Sequence, residues 1–312
     1  MFLVCGEALM DVFATADTPT GMLLDGRIGG SPLNVASGLA RMGQPVAFFG
    51  ALSTGFLGDR LARALAEEGV SLACAPRIDA PTTLSLVGLD AQGVPSYAFY
   101  GQGCADRLMP MSALGAVPDD VQAVQFGSYA MVVEPVASTQ RALVERMQGR
   151  VLVAYDPNIR LNVEPDVARW RDTLDWMLPR TQLLKISDED LSRLQPGVDE
   201  DTLAQQWLAA GVEAVVLTRG AEGASGWTSA GRVDVPGRRV AVVDTVGAGD
   251  TFQAALLTGL AETGRLRPGA VKGLPASALA AWLDFAVAAA AITCSRRGAD
   301  LPRRAELPAL NF

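Results

Sequence analysis

The sequence predicts an α/β protein whose central sheet is mainly parallel and is covered by helices on both faces. Short apolar runs alternate with longer amphipathic segments, and 49% of the 312 residues are hydrophobic. Buried parallel strands appear as continuous apolar runs because helices pack against both faces of their sheet. The predicted strands are residues 2–5, 46–52, 121–127, 151–155, 182–186 and 213–218.

Helix boundary signals support this alternation. Ser31-Pro32 predicts an N-cap followed by a proline at the first helical position. Gly43 and Gly69 follow apolar periodicities and are expected to end two helices. Residues 278–294 form the longest apolar stretch, but it is shorter than the roughly 20 residues that a membrane span needs. We therefore predict a buried helix there and no contact with a membrane.

Two stretches break the alternation of strands and helices. Residues 11–28 and 83–102 are typical of short strands joined by turns, and the second contains the turn signal Asp-Ala-Gln-Gly at residues 90–93. These stretches predict a small sheet that is inserted twice into the larger unit. Since no linker or repeat divides the chain, residues 1–312 are expected to form one domain with a small β-sheet lid.

Composition and charge exclude several classes of function. The chain has 34 acidic and 26 basic residues, so its formal net charge of −8 repels nucleic acid, which we exclude as a partner. It contains no histidine, which removes the commonest general base and every Ser-His or Cys-His nucleophile. Four cysteines without a CxxC pair predict free thiols. The apolar N-terminus is interrupted before it reaches signal-peptide length, which predicts a cytoplasmic protein.

The most informative motif is the glycine-rich segment at residues 244–252, Asp-Thr-Val-Gly-Ala-Gly-Asp-Thr-Phe. It follows an apolar run and precedes a helical pattern, so Gly247, Ala248 and Gly249 bring backbone N–H groups to a helix N-terminus. This arrangement predicts a phosphate-binding loop. Asp250 beside the loop is then a candidate base for a substrate hydroxyl group. The alternative is a turn in which Asp250 only caps the helix.

Polar residues near the N-terminus predict a site for a polyol. Gly30 lets the backbone approach a ligand, and Asn34 lies one turn into the helix that Ser31 opens. Asp11 is expected to end the first strand, where its carboxylate could accept hydrogen bonds from two sugar hydroxyl groups. The alternatives are a lid hinge at the glycines and a solvated turn carboxylate at Asp11.

Together, residues 244–252 and residues 29–36 (Gly-Gly-Ser-Pro-Leu-Asn-Val-Ala) resemble the two signatures of the PfkB, or ribokinase-like, family of sugar and nucleoside kinases. The resemblance extends over essentially the whole chain. It implies a ribokinase-like, doubly wound fold with a lid, and it implies ATP and Mg²⁺ as cofactors. It also implies that Asp11, Gly30 and Asn34, with Ser31 beside them, bind the sugar. A Walker A loop is absent from the sequence.

Three further segments match landmarks of this family. Residues 155–160 carry the pattern Asp-Pro-Asn-x-Arg, typical of fructokinases and 2-keto-3-deoxygluconate kinases, in which Arg160 could assist phosphoryl transfer or form an ion pair. Ser187 and Asp190 occupy the Asn and Glu positions of the family's NxxE motif. Ser187 is assigned to ATP and Asp190 to Mg²⁺. An N-cap at Ser187 explains the segment nearly as well. The T-x-G-x-x-G nucleotide segment corresponds to Thr218, Gly220 and Gly223.

The resulting hypothesis is an ATP-dependent sugar kinase that phosphorylates a primary hydroxyl group of a hexose with Asp250 as the base. Fructose is the favoured acceptor, since residues 7–11 and 97–106 look like those of bacterial fructokinases. The alternatives are a 2-keto-3-deoxygluconate kinase, another PfkB sugar or nucleoside kinase, or a non-catalytic sugar-binding regulatory protein on the same scaffold. The first alternative needs a cation near the lid, where only Arg27 and Arg107 are found.

Two further expectations concern a cation and a second copy of the chain. Many relatives hold K⁺ beside the loop, and Asp244 and Thr245 supply oxygen atoms there; the alternative is that Asp244 caps its own turn. The exposed edges of a small lid sheet invite pairing, so we expect a homodimer formed through the lid.

Overall fold

The computed structural model describes residues 1–89 and 95–310. Its strands are β1 (Phe2–Cys5), β2 (Leu9–Thr18), β3 (Gly21–Gly29), β4 (Val46–Phe49), β5 (Leu52–Ser53), β6 (Arg77–Ile78), β7 (Leu84–Leu89), β8 (Pro95–Tyr100), β9 (Ala123–Gly127), β10 (Leu152–Asp156), β11 (Leu183–Ser187), β12 (Ala214–Thr218), β13 (Gly223–Thr228) and β14 (Gly231–Pro236). Its α-helices are α1 (Ser31–Arg41), α2 (Phe56–Glu67), α3 (Val136–Met147), α4 (Val167–Met177), α5 (Asp188–Leu194), α6 (Glu200–Ala209), α7 (Ala248–Glu262) and α8 (Ala276–Cys294).

Eight strands of the described chain form the large sheet, in the order β14-β13-β12-β11-β10-β9-β1-β4. Pairing is parallel from β12 to β4, and β13 and β14 add an antiparallel edge. The six predicted strands are confirmed, except that the prediction for residues 46–52 is divided between β4 and β5. Gly50 lies at the break, where a Cβ would collide with the backbone carbonyl of Gly6.

Helices cover both faces of the large sheet, as the sequence predicts. One apolar core joins the sheet to α1, α7 and α8, and the other joins its opposite face to α3, α4 and α6. Each fully buried leucine in these cores contributes about 1.5–3 kcal/mol relative to an exposed one. The predicted buried helix is confirmed as α8, which is long and apolar enough for a membrane span but packs against α7 and β14.

The lid is a second sheet in the order β3-β2-β7-β8, in which β2 and β7 are parallel and the outer pairs are antiparallel. Its strands overlap the stretches predicted at residues 11–28 and 83–102, while the turn predicted at residues 90–93 lies outside the described residues. One detail of the prediction is wrong, since Asp11 lies inside β2 and not at the end of the first strand. The chain turns at Gly6 (φ 142°) and then resumes an extended course to pair with the lid.

The start of α1 also differs from the prediction. The N-cap is Gly30 and Ser31 is the first helical residue, so the proline occupies the second helical position. Gly30 has φ 106°, and a Cβ there would lie 2.8 Å from the carbonyl oxygen of Glu7, which makes glycine the residue that fits. The Ser31 hydroxyl is thereby left to another partner. Gly43 and Gly69 follow the ends of α1 and α2 with positive φ, as expected.

Candidate active site

A cavity of about 640 Å³ lies between the carboxyl ends of the large-sheet strands and the lid. Ligands of open α/β sheets bind at this edge. The cavity brings together nine of the sequence-predicted site residues: Asp11, Gly30, Ser31, Asn34, Arg160, Thr245, Gly247, Gly249 and Asp250. Seven others lie outside its lining: Ala248, Asp244, Ser187, Asp190, Thr218, Gly220 and Gly223.

The glycine-rich loop leads directly into α7. Gly247 is the N-cap with φ 78°, and a Cβ there would lie 2.6 Å from the side chain of Ala299. Gly249 is exposed to the cavity and leaves the backbone bare. The helix begins at Ala248, so its partial positive charge faces this opening, although Ala248 N itself donates to the carbonyl oxygen of Thr245 at 3.2 Å. The geometry fits an anion such as a phosphate group.

Asp250 is held by two side chains from the first turn of α1. The hydroxyl of Ser31 donates to its Oδ1 at 2.6 Å, and the amide of Asn34 donates to its Oδ2 at 2.8 Å. A carboxylate has about four lone-pair sites, so these bonds orient the group and leave acceptor capacity for a further hydroxyl. The sequence assigned Ser31 and Asn34 to the sugar; the structure adds that both position the carboxylate.

A buried ion pair that was not predicted from the sequence lies next to the glycine-rich loop. Lys185 Nζ donates to Asp156 Oδ2 at 2.7 Å, and both residues are at most 5% exposed. The same Nζ would be 3.3 Å from a Cβ at Gly249, so the ammonium adjoins the loop. Burial raises the pKa of Asp156, and the ammonium opposes that rise. A lysine inside a predicted buried strand was the available signal.

Arg160 follows β10 and points its guanidinium toward the cavity. Its Nη1 donates to the carbonyl oxygen of Ile159 at 2.9 Å, and the residue is otherwise exposed. Within the described part of the chain it forms no ion pair. Burial raises the pKa of Asp11 across the cavity, while the Arg160 charge opposes this rise. The guanidinium therefore remains available to an anionic ligand.

The segment assigned to magnesium is partly explained by helix capping. Ser187 accepts a hydrogen bond from Asp190 N at 3.1 Å, as the N-cap alternative predicts. The Asp190 carboxylate accepts from Ile159 N and from Arg193, both at 3.3 Å. In residues 1–89 and 95–310, no three metal-ligating side chains form a group that could hold an ion. A Mg²⁺ ion beside Asp190 would therefore have to take most of its ligands from phosphate and water.

The carboxylate of Asp244 is surrounded by donors. Its Oδ1 accepts from Val246 N at 3.1 Å and its Oδ2 from Gly298 N at 2.8 Å, while Arg27 Nη1 approaches to 3.7 Å. This favours the turn-capping alternative for the side chain. Thr245 is exposed and lines the cavity.

The nucleotide segment lies at the carboxyl end of the neighbouring strand. Thr218 ends β12 and pairs in register with Ser187 at the end of β11. Gly220 and Gly223 have positive φ, and a Cβ at Gly223 would collide with the carbonyl of Val235. Packing alone therefore requires glycine at Gly223, while the segment borders the loop after β11.

Comparisons with known proteins agree with this geometry. Residues 1–306 match the pfkB family carbohydrate kinase. The chain is 37% identical over 260 residues to a fructokinase of Rhizobium leguminosarum bv. trifolii, covering 83% of this chain and 79% of that protein. It is 31% identical over 319 residues to a probable fructokinase-4 of Arabidopsis thaliana, covering 98% and 94% of the two chains.

A solved structure supports the same assignment. The fructokinase of Xylella fastidiosa with bound ATP superposes with a TM-score of 0.86 at 28% identity, covering 99% of this chain and 95% of that one. The ribokinase-like fold and the function of an ATP-dependent sugar kinase follow from these relationships. The chain belongs to the PfkB family of carbohydrate kinases.

Proposed function

We propose that the protein is a fructokinase that transfers the γ-phosphoryl group of ATP to a primary hydroxyl group of fructose. The observation that carries the proposal is the carboxylate of Asp250, held by Ser31 and Asn34 at the mouth of an anion-binding loop. Asp11 lines the same cavity from the lid and offers a carboxylate to the sugar. The names of the similar bacterial and plant proteins support fructose as the acceptor.

In this mechanism Asp250 accepts the proton of the attacking hydroxyl group as the new O–P bond forms and the bond to the departing ADP breaks. The N–H groups of Gly247 and Gly249 bind the transferring phosphoryl group, and Arg160 supplies a further positive charge. The predicted third donor, Ala248 N, instead donates to the carbonyl oxygen of Thr245 at 3.2 Å. Thr218, Gly220 and Gly223, with Ser187, form the floor for the nucleotide. A bound Mg²⁺ would neutralise phosphate charge, and Asp190 would hold it through water.

The lid excludes water from the site in this mechanism. Phe13 on β2 and Phe99 on β8 line the cavity and present apolar surface to it. Water that reaches the γ-phosphate would compete with the sugar, so coverage by the lid favours transfer over hydrolysis.

The lid cations favour a neutral acceptor over a sugar acid. Arg27 is bound to Asp25 at 2.7 Å and stacks over Phe13 at 4.7 Å. Arg107 stacks over Phe99 and Tyr129 at 5.3 and 5.5 Å. The Nε of Arg107 has no hydrogen-bond partner among the described residues, but neither Arg27 nor Arg107 lines the cavity, so a carboxylate on the acceptor gains little from them. This supports fructose over 2-keto-3-deoxygluconate.

A coupled ADP-release assay with fructose, glucose, ribose, adenosine and 2-keto-3-deoxygluconate tests the proposal. We expect ATP- and Mg²⁺-dependent turnover that is fastest with fructose. Turnover of the sugar acid alone would contradict the choice of acceptor. Calorimetry in the same samples addresses the regulatory alternative, because a protein that binds sugar without releasing ADP with any acceptor is not a kinase.

We further propose a homodimer formed through the lid. Met22, Leu23 and Leu24 on β3 are 59%, 58% and 52% exposed, and β3 is an edge strand of its sheet. Apolar side chains on an open edge favour pairing with a second copy. Sedimentation should give a dimer that Leu23→Lys converts to a monomer, whereas Met111→Lys, at an exposed site outside the lid, leaves it dimeric. A monomeric wild-type protein would contradict the proposal.

We also propose a cytoplasmic location. The four cysteines are free thiols in the structure, which supports a reducing compartment.

A further inference from the structure

Glu7 is a buried carboxyl group in the wall of the cavity to which the proposed mechanism gives no role. It follows β1, is 2% exposed and lines the cavity. Ser128 hydrogen-bonds its carboxyl group, but Oε2 has no hydrogen-bond partner among the described residues. A buried polar atom without a partner costs about 1–3 kcal/mol, so an unpaired oxygen beside a ligand cavity indicates a ligand contact.

Buried polar side chains surround Glu7. Asp106 accepts from Thr83 at 2.5 Å and from Tyr129 at 2.8 Å, and both it and Tyr129 are buried. Ser128 itself has φ 58°, an uncommon conformation for a residue other than glycine. The backbone carbonyl of Glu7 lies against Gly30. The backbone of Glu7 is thus held against the start of α1, while the residue lines the cavity.

We propose that Glu7 binds the acceptor sugar directly and that its Oε2 fixes the orientation of one sugar hydroxyl group. The inference rests on the proposed function, which it deepens by adding a sugar-binding residue on the large-sheet side of the cavity, opposite Asp11 of the lid.

The chemistry of the site favours an uncharged Glu7. Burial raises its pKa to about 8, with a smaller contribution from Asp106; the hydrogen bond from Ser128 and the charge of Arg160 oppose the rise. Tyr129 is the other titratable group that interacts with it. At pH 7 the group is therefore a carboxylic acid, which can donate one hydrogen bond and accept another. A sugar hydroxyl group has the same dual capacity.

The test compares Glu7→Gln and Glu7→Leu with the wild-type enzyme between pH 6 and pH 9.5. Glutamine keeps the shape and a donor at every pH, whereas leucine removes all hydrogen bonding. For the wild type, the KM for fructose should be constant below pH 7.5 and rise above about pH 8, by at most tenfold per pH unit. Glu7→Gln should have a flat profile, and Glu7→Leu should raise this KM about 5–100-fold at pH 7.

Gln140→Leu is the matched control, because Gln140 is fully buried in α3, has side-chain atoms without partners in the described chain, and lies outside the cavity. It should leave the KM for fructose unchanged. The KM for ATP should stay within about twofold in all variants, since hydrogen bonds to the sugar are not made to the nucleotide.

The free energy of unfolding is measured at each pH, so that an effect of Glu7 on stability can be distinguished from an effect on fructose binding. Folding raises the pKa of Glu7 from 4.5 to about 8. Its contribution to the free energy of unfolding therefore falls as the pH rises from about 4.5 to 8, and it is constant above pH 8. The expected loss of fructose binding occurs above pH 8, where that contribution is constant.

If Glu7→Leu does not fold, Glu7→Gln decides alone. A flat fructose KM profile in Glu7→Gln supports the contact, and a rise equal to that of the wild type overturns it. An unchanged KM in folded Glu7→Leu, or equal changes in both KM values, also overturns it. A wild-type enzyme that phosphorylates no sugar would instead refute the proposed function.

Discussion

The large sheet and the lid both line the cavity, but they differ in how deeply their strands are buried. In β1, β4, β9 and β10 every residue is buried, and the groups at their carboxyl ends are fixed by two apolar cores. In the lid, β2 is exposed from Ala14 onward and β3 presents Met22, Leu23 and Leu24 to solvent. The large sheet can therefore fix charge without a ligand. The lid has few buried contacts of its own, so its position should depend more on what binds against it.

The difference has a chemical consequence. In the proposed mechanism, the groups that act on the transferring phosphoryl group belong to the large-sheet side, where Lys185 and Asp156 form a buried ion pair. The contacts of the lid with that side include the partly exposed approach of Arg27 to Asp244. Changes to the groups proposed to act on the phosphoryl group should thus reduce kcat strongly, while changes to Arg27 in the lid should alter the KM for the sugar weakly.

The largest effect is expected for Asp250→Asn. The amide keeps the shape of the side chain but cannot accept the proton of the hydroxyl group, so kcat should fall about 10²–10⁴-fold. Calorimetry should find fructose and ATP affinities close to those of the wild type. Near-normal turnover would show that Asp250 is not the base. The expected difference between the large sheet and the lid would then lose its strongest support.

Lys185→Met should be the next largest. It leaves Asp156 buried without a cation, which costs about 3–5 kcal/mol of stability, and removes the charge beside Gly249. The double variant with Asp156→Leu separates these effects. Its thermal midpoint should recover, whereas kcat/KM for ATP should stay reduced roughly tenfold or more. Full recovery of activity in the double variant would show that the Lys185–Asp156 pair has only a structural role.

Arg27→Gln tests the lid. A partly exposed ion pair contributes ~0.2–1 kcal/mol, so the KM for fructose should rise about 2–5-fold with kcat little changed. Arg304→Gln is the matched control, because Arg304 also combines an ion pair, to Glu262, with stacking over an aromatic ring, Phe285. It lies outside the cavity and should leave kinetics unaltered. A larger fall in kcat than in affinity would contradict a purely positioning lid.

The smallest expected effect concerns K⁺. Replacing Na⁺ by K⁺ at constant ionic strength and constant Mg²⁺ should raise kcat if oxygen atoms around Asp244 and Thr245 hold the ion, and Asp244→Ala should abolish the difference. The bonds of Asp244 to Val246 N and Gly298 N favour a modest change. Equal rates in both salts would leave the loop and its helix as the whole anion site.

Much of the molecule follows from the sequence alone. Apolar runs at residues 2–5 and 151–155 predict strands because their side chains must be buried, and the structure has β1 and β10 there. The loop before α7 is likewise local, since Gly247 and Gly249 provide a bare backbone without help from distant residues. Fold class, lid and anion loop were therefore predictable.

Only the tertiary structure decided which distant residues meet. Ser31 was predicted as a helix cap, yet its hydroxyl binds Asp250, 219 residues away, because Gly30 takes the cap position. Lys185 is balanced by Asp156 from a neighbouring strand, and Glu7 Oε2 is buried without a hydrogen-bond partner in the part of the chain that the structure describes. Pairing and burial depend on contacts between segments far apart in the chain, which local patterns of residue type do not encode.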